Sequence, residues 1–264
     1  MNYVTAIYLP SSNWDGKCEE WVPRFAVRSL EKIHLGVQEF VPALERSQAV
    51  LGNSMLFILD SNLRSHPNGK IVYDAILKAQ LHVQEVTLKP RGIYSNKWAC
   101  MLASFASRSG PTIWMDATDA EAIEPLSEEE DKFISEKVVK AGIVVEWEQG
   151  PRCFGPRMSN SDGTIASKKP KQTQLSIYCL PDGSIAEACY KMDMDYDQIA
   201  ATHHFQNTRG WFQDAINEGV VSSTTSDGLF RVEGKGYEHR LIFRKEPARF
   251  KAKLIHKPDW HKTY

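Results

Sequence analysis

The chain has 264 residues, enough for one large domain or two small ones with a real core. Apolar residues make up 42% and charged residues 25%, and 32 basic side chains face 33 acidic ones. That balance excludes a global field drawing the chain to nucleic acid or membrane, although local basic patches stay open. The start, MNYVTAIYLPSS, has no basic head followed by an apolar stretch, and no window nears the roughly 18 apolar residues of a membrane helix. Cys18, Cys100, Cys153, Cys179 and Cys189 are scattered with no CxxC pair. They are expected to be reduced thiols of a soluble cytoplasmic protein, not a zinc or disulfide framework.

In chain order, Tyr3–Leu9 is rich in β-branched and aromatic residues and stops at Pro10, as a strand does. Trp21–Ile33 has helical spacing that runs on towards Leu44, with interruptions expected at Gly36 and Pro42. Ser54–Leu59 is a short apolar run ending in Asp60, Ser61 and Asn62, the pattern of a buried strand and a polar turn. Lys70–Leu81 predicts a helix with Ile71, Ala75 and Leu77 to Leu81 inward, and His82–Leu88 alternates as a strand. Asn96–Arg108 predicts a helix with an inward stripe of Trp98, Leu102 and Phe105, ended by Gly110-Pro111. Thr112–Met115 is the next strand. Ser127 then caps an acidic-headed helix to Ala141, Gly142 closes it, and Ile143–Trp147 is a further strand. Alternation of this kind predicts an α/β class: a Rossmann-like, mostly parallel sheet flanked by helices.

The composition changes after Gly150, which suggests an α/β part over 1–150 and an α+β part over 151–264 that completes the same sheet. Gly155–Gln174 is expected to be a long loop. LSIYCLPDGSIAEACYKMD predicts a hairpin around Pro181-Asp182-Gly183, and Tyr196–Glu218 a helix. LFRVEGKGYEHRLIFRKE predicts a second hairpin around Gly234-Lys235-Gly236, and AKLIHKPDWHKTY a strand with a polar tail.

Ligands of parallel α/β sheets sit beyond the carboxyl ends of strands. Two apolar runs here end in aspartate there: MLFIL at Asp60 and TIWM at Asp116, followed by Asp119. A turn can bring Asp116 and Asp119 to one hard cation, Mg²⁺ or Mn²⁺, able to neutralise a departing diphosphate. The plain alternative is that Asp116 merely ends a strand while Asp119 caps the segment Ala120–Ile123.

In the latter half, YKMDMDYDQ places Asp193, Asp195 and Asp197 together as a second metal site, a base for an acceptor hydroxyl, or the cap of a helix near Asp197. His203 and His204 fall on different helical faces, while Asp214 and Glu218 share one. Lys168, Lys169 and Lys171 form a short basic run, either a solvated loop or a contact for the phosphate of a donor or of a nucleic acid. Trp14, in a polar loop, is either a core residue or a platform for a base or sugar ring. No GxSxG, Walker or GxGxxG motif occurs.

The order of βα units, with Asn96-Lys97 opening a helix that leads into TIWMDATD, resembles the GT-A family of glycosyltransferases over roughly residues 1–150. The resemblance implies a nucleotide-sugar donor, with Asp116 near the ribose or metal, Asp119 on the metal, and Lys97 on the donor. Asp60 would lie near the nucleotide, and Asp195 would face the acceptor. Family members often complete the metal site with a histidine beside a Lys-Pro-Trp sequence, and LIHKPDWHK is similar in kind, which implies His256 as a third ligand. The spacing departs from the family in both motifs: two residues separate the aspartates, and Asp259 splits Pro258 from Trp260. Two other readings stay open. MLFILDSNL looks like the first strand of a PIN-type nuclease, with Asp60 and Asp116 or Asp119 gathering Mg²⁺. The other is a non-catalytic binding module, in which the acidic turns only cap helices and the lysine run contacts a partner.

Overall fold

The computed structural model describes residues 1–9, 33–89, 95–145, 176–192, 226–232 and 248–257. Two sheets organise them. The larger holds β1 (Asn2–Ile7), β2 (Met55–Asp60), β3 (Val83–Val86), β4 (Thr112–Met115), β6 (Val144–Val145) and β7 (Ile177–Leu180), in the order β3-β2-β1-β4-β7-β6. The smaller joins β5 (Ala120–Ala122), β8 (Phe230–Val232) and β9 (Leu254–His256) in the order β5-β9-β8. Pairing along β3, β2, β1 and β4 is parallel, whereas β7 runs antiparallel to both β4 and β6. The class is therefore α/β with a mostly parallel six-stranded sheet.

Side-chain alternation splits the core across the large sheet. Tyr3, Ile7, Phe57, Leu59, Ile113 and Met115 face one side, with α1 (Val37–Leu51), α2 (Pro67–Lys78) and α4 (Glu128–Ala141). Val4, Ala6, Leu56, Ile58 and Trp114 face the other, with α3 (Asn96–Ser107) and α5 (Gly183–Met192). Strands covered on both faces read as unbroken apolar runs, and MLFIL is fully buried.

Several expectations need correction. Gly36 does break the first helix, but Pro42 lies inside α1: early in a helix it deletes one donor without ending it. Helix α2 starts at Pro67 and buries Gly69, Val72, Tyr73 and Ile76, while Ile71 and Leu77 are exposed, so the inward face is rotated from the expected one. Gly69 is required there because a Cβ would stand 2.4 Å from the Leu63 carbonyl oxygen. On α3 the deepest residues are Trp98, Cys100, Met101 and Ser104; Leu102 and Phe105 are only partly buried and pack around Gly183 of α5.

The largest correction concerns Pro181-Asp182-Gly183, which does not turn a hairpin. Strand β7 gives way to α5, whose first turn is held by Ser184 N–H donating to Asp182 Oδ1 at 2.8 Å. Ile185, Ala186 and Cys189 then recur at helical spacing on the buried side. The Ser127 cap and the Gly142 stop of α4 are as the sequence implies, and the structure adds a capping box: Ser127 and Glu130 exchange bonds with each other's backbone N–H, and Gly142 closes the helix at φ 86°.

Strands from beyond residue 176 enter both sheets: β7 separates β4 from β6, and β9 pairs with β5. The expected loop at Gly155–Gln174, the helix at Tyr196–Glu218, and the Gly234–Gly236 turn lie outside the described residues. The first arm of that expected hairpin, β8, pairs in parallel with β9. Among the described residues no helix is long and apolar enough to cross a membrane. Cys100, Cys179 and Cys189 are buried, and burial together with the charge of Asp60 pushes the Cys100 thiol well above the ordinary range.

Candidate functional site

Strands β1, β2 and β3 step outward in one direction, and β4 adds on the other side of β1. The carboxyl ends of β1 and β4 therefore flank the point where strand order reverses, the usual ligand crevice of an open α/β sheet. Asp116 leaves β4 at that point. Its backbone N–H donates to the Ser176 carbonyl at 2.8 Å, which extends the β4–β7 pairing by one residue and fixes where the turn begins.

Alternation puts Trp114 and Asp116 on the same side of β4, towards α3. The Trp114 indole Nε1–H donates to Asp116 Oδ1 at 2.7 Å, and Lys97 Nζ reaches the same oxygen at 3.0 Å. Lys97 is nearly buried in the first turn of α3, and its ammonium lies 5.4 Å from the centre of the Trp114 ring. Asp116 thus meets a cation and an indole donor.

The chain next turns through Ala117 and Thr118, with Ala120 N–H donating to the Asp116 carbonyl at 2.9 Å, and enters β5. The segment Ala120–Ala122 is a strand, so Asp119 does not cap a helix there. Asp119 instead faces β9, where Ala120 is paired in register with His256. His256 Nε2 stands 3.3 Å from Asp119 Oδ2, and both side chains are close to buried at 5% and 11% exposure. The Lys257 backbone N–H also donates to the Asp119 carbonyl at 2.6 Å.

Glu121 braces this junction, with carboxylate bonds to Arg46 of α1 at 2.7 Å and to Lys257 at 2.8 Å. Burial raises its pKa, but the hydrogen bonds from Arg46 and Lys257 prevail and hold it below the ordinary 4.5. A depressed carboxyl stabilises the fold above its unfolded value and loses that contribution as pH falls through the folded one. Urea unfolding of Glu121→Gln is therefore expected to show a deficit against wild type at pH 6 that closes below pH 4.5. A deficit unchanged at pH 3 would rule out an ionic brace.

Asp60 ends β2 with its side chain 1% exposed. Its Oδ2 accepts from Leu9 N–H at 3.1 Å, and its Oδ1 accepts from Asn62 N–H at 3.1 Å and Leu88 N–H at 3.3 Å.

Of the residues singled out in the sequence, Lys97 and Asp116 are brought together on one side of the acidic turn, Asp119 and His256 on the other. Asp60 sits one strand beyond β1. Trp14, Lys168, Lys169, Lys171, Asp193, Asp195, Asp197, His203 and His204 lie outside the described residues. Trp114, Ser176 and Glu121 had not been singled out. The two-residue strand period relating Trp114 to Asp116 was the available signal for the first; the others depend on strand pairing.

Among the described residues, no group of three or more His, Cys, Asp or Glu is gathered as a metal site. The carboxylate–imidazole contact of Asp119 and His256 does fit a divalent cation that arrives with its substrate. Such ions take one or two protein ligands and complete their shell with phosphate oxygens and water.

No family model matches the chain, and no curated protein matches it either. Among solved structures, the galactosyltransferase LgtC in complex with donor and acceptor sugar analogs aligns over 98% of this chain and 87% of its own, with 10% identity and a TM-score of 0.38. Agreement that loose carries no argument about fold or activity, which rest here on the strands and the acidic turn.

Proposed function

We propose that this chain is a metal-dependent glycosyltransferase of GT-A type that uses a nucleotide-sugar donor. The observation that carries the reading is the acidic turn at the carboxyl end of β4, beside the strand-order reversal, closed by a histidine from β9. Asp119 and His256 would hold Mn²⁺ or Mg²⁺, and a cation bound there would neutralise charge on the leaving diphosphate. Lys97 and the Trp114 indole hold Asp116 in one orientation, so its carboxylate is set before a ligand enters. Lys97 would add positive charge on the donor side, and Asp195 would serve the acceptor. The 1–150 part would bind the donor and the 151–264 part the acceptor, in the cytoplasm.

The nuclease reading needs the Asp60 carboxylate to face an ion. It is instead occupied by backbone N–H groups of Leu9, Asn62 and Leu88, which favours the transferase. The test is a thermal-shift series with UDP- and GDP-sugars, each with and without Mn²⁺. Stabilisation by one class only when Mn²⁺ is present supports the reading, and indifference to every nucleotide overturns it.

A further inference from the structure

Strand β2 stops pairing at Asp60, because Ser61–Ser65 turns aside as a 3₁₀ helix. The neighbouring strands end at the same level, β1 at Ile7 and β3 at Val86, and the chain leaving each passes beside the Asp60 side chain. Ile7 of β1 pairs with Leu59, and Val86 of β3 pairs with Asp60, so Leu9 and Leu88 each lie two residues past a paired position. Their N–H groups point to where β2 would have offered carbonyls. The Asp60 carboxylate supplies the missing acceptors, one oxygen towards each neighbour. Asn62 reinforces the same edge, its Nδ2 donating to the Leu88 carbonyl at 2.7 Å, and Ser61 and Thr87 hydroxyls meet at 2.7 Å.

We infer that Asp60 is a positioning residue. It ties the chain leaving β1 and the chain leaving β3 to the end of β2 and so sets the exits of both strands at the edge of the donor crevice. Resting on the transferase reading, this assigns Asp60 a role through Leu9 and Leu88, not a contact with the nucleotide. Only a carboxylate suits the place. A serine offers one oxygen, and an asparagine would turn an N–H₂ group on one of the backbone donors. The exit of β1 matters most, because β1 adjoins β4 at the point where strand order reverses.

The test combines amide exchange with titration of UDP–Mn²⁺ and GDP–Mn²⁺, on wild type and Asp60→Asn, at a temperature where both are folded. In D60N the Leu9 and Leu88 amides are expected to exchange faster together, while Ile113 to Met115 of β4 keep their protection. Affinity for whichever nucleotide binds wild type should fall roughly tenfold, about the effect of one lost charge-assisted hydrogen bond. A side chain that only stabilises the fold would leave affinity unchanged in folded protein, and that result overturns the positioning role. If D60N does not fold, Asp60→Ser serves instead, since its single hydroxyl oxygen leaves at least one of the two backbone N–H groups without its acceptor. It should speed exchange at Leu9, Leu88 or both and lower nucleotide affinity, and unchanged affinity with a loosened Leu9 amide also overturns the inference. A wild-type chain that binds neither nucleotide overturns the transferase reading and this role with it, an outcome distinct from a defect confined to the variants.

Discussion

Asp119→Ala is expected to abolish the Mn²⁺-dependent stabilisation of this chain by a nucleotide sugar while leaving the metal-free protein folded. A ligand at about 100 times its Kd adds roughly 2.7 kcal/mol, and for a chain of this size that raises Tm by about 5–10 °C. The substitution should remove the whole shift, because Asp119 supplies the charged member of the Asp119–His256 pair. His256→Ala should weaken Mn²⁺ binding as well. If the two side chains share one ion, the double variant will lose little beyond the worse single one, since neighbours acting on one ligand are not additive. Titration of Mn²⁺ into the four proteins with the nucleotide sugar present measures this. Strictly additive losses, or an Asp119→Ala protein with its full Mn²⁺-dependent shift, would end the metal assignment.

The second large effect falls on Trp114, which couples stability to the site. The side chain is 1% exposed, stacks on Tyr178 with centroids 6.3 Å apart, and donates to Asp116. Trp114→Ala should cost about 3–5 kcal/mol in urea unfolding, the usual range for deleting a buried large aromatic. Trp114→Phe keeps most of the apolar contact and loses the N–H. Its stability cost should be near 1 kcal/mol, the scale of one net hydrogen bond. Its consequence for function should be larger in proportion, because Asp116 then keeps Lys97 without the second donor that fixes its plane. A Trp114→Phe protein that binds donor as wild type does would show that the indole contributes packing alone.

These effects differ in how far they could be anticipated. The strand TIWM and the cap of α4 follow from local patterns: an apolar run closed by a polar residue, and Ser127 three residues before Glu130. For Lys97 the resemblance implied a donor contact; its ion pair with Asp116 is a separate fact that only the structure supplies. Periodicity misplaced the α2 face because Ile71 and Leu77 are apolar yet exposed, and only packing against the sheet shows that Val72 and Ile76 face inward. The Pro181-Asp182-Gly183 segment carries turn residues that serve equally as a helix start. The choice depends on whether the apolar residues that follow meet α3 or another strand.

The sequence by itself determined the alternating elements, the aspartates at the ends of β2 and β4, and the histidine after the last apolar run. Those depend on residue type and short spacing, which local physics reads directly. Tertiary structure alone decided their partners. The two residues between Asp116 and Asp119 carry the chain out of the large sheet and into the small one, so the first carboxylate meets Lys97 across the α3 face. The second meets His256, 137 residues away, through the antiparallel pairing of β5 with β9. Asp60, equally acidic and equally placed at a strand end, is turned to backbone N–H groups because the chains leaving β1 and β3 pass on either side of it. Side-chain chemistry is local, but which donor stands opposite a carboxylate depends on strand order and register.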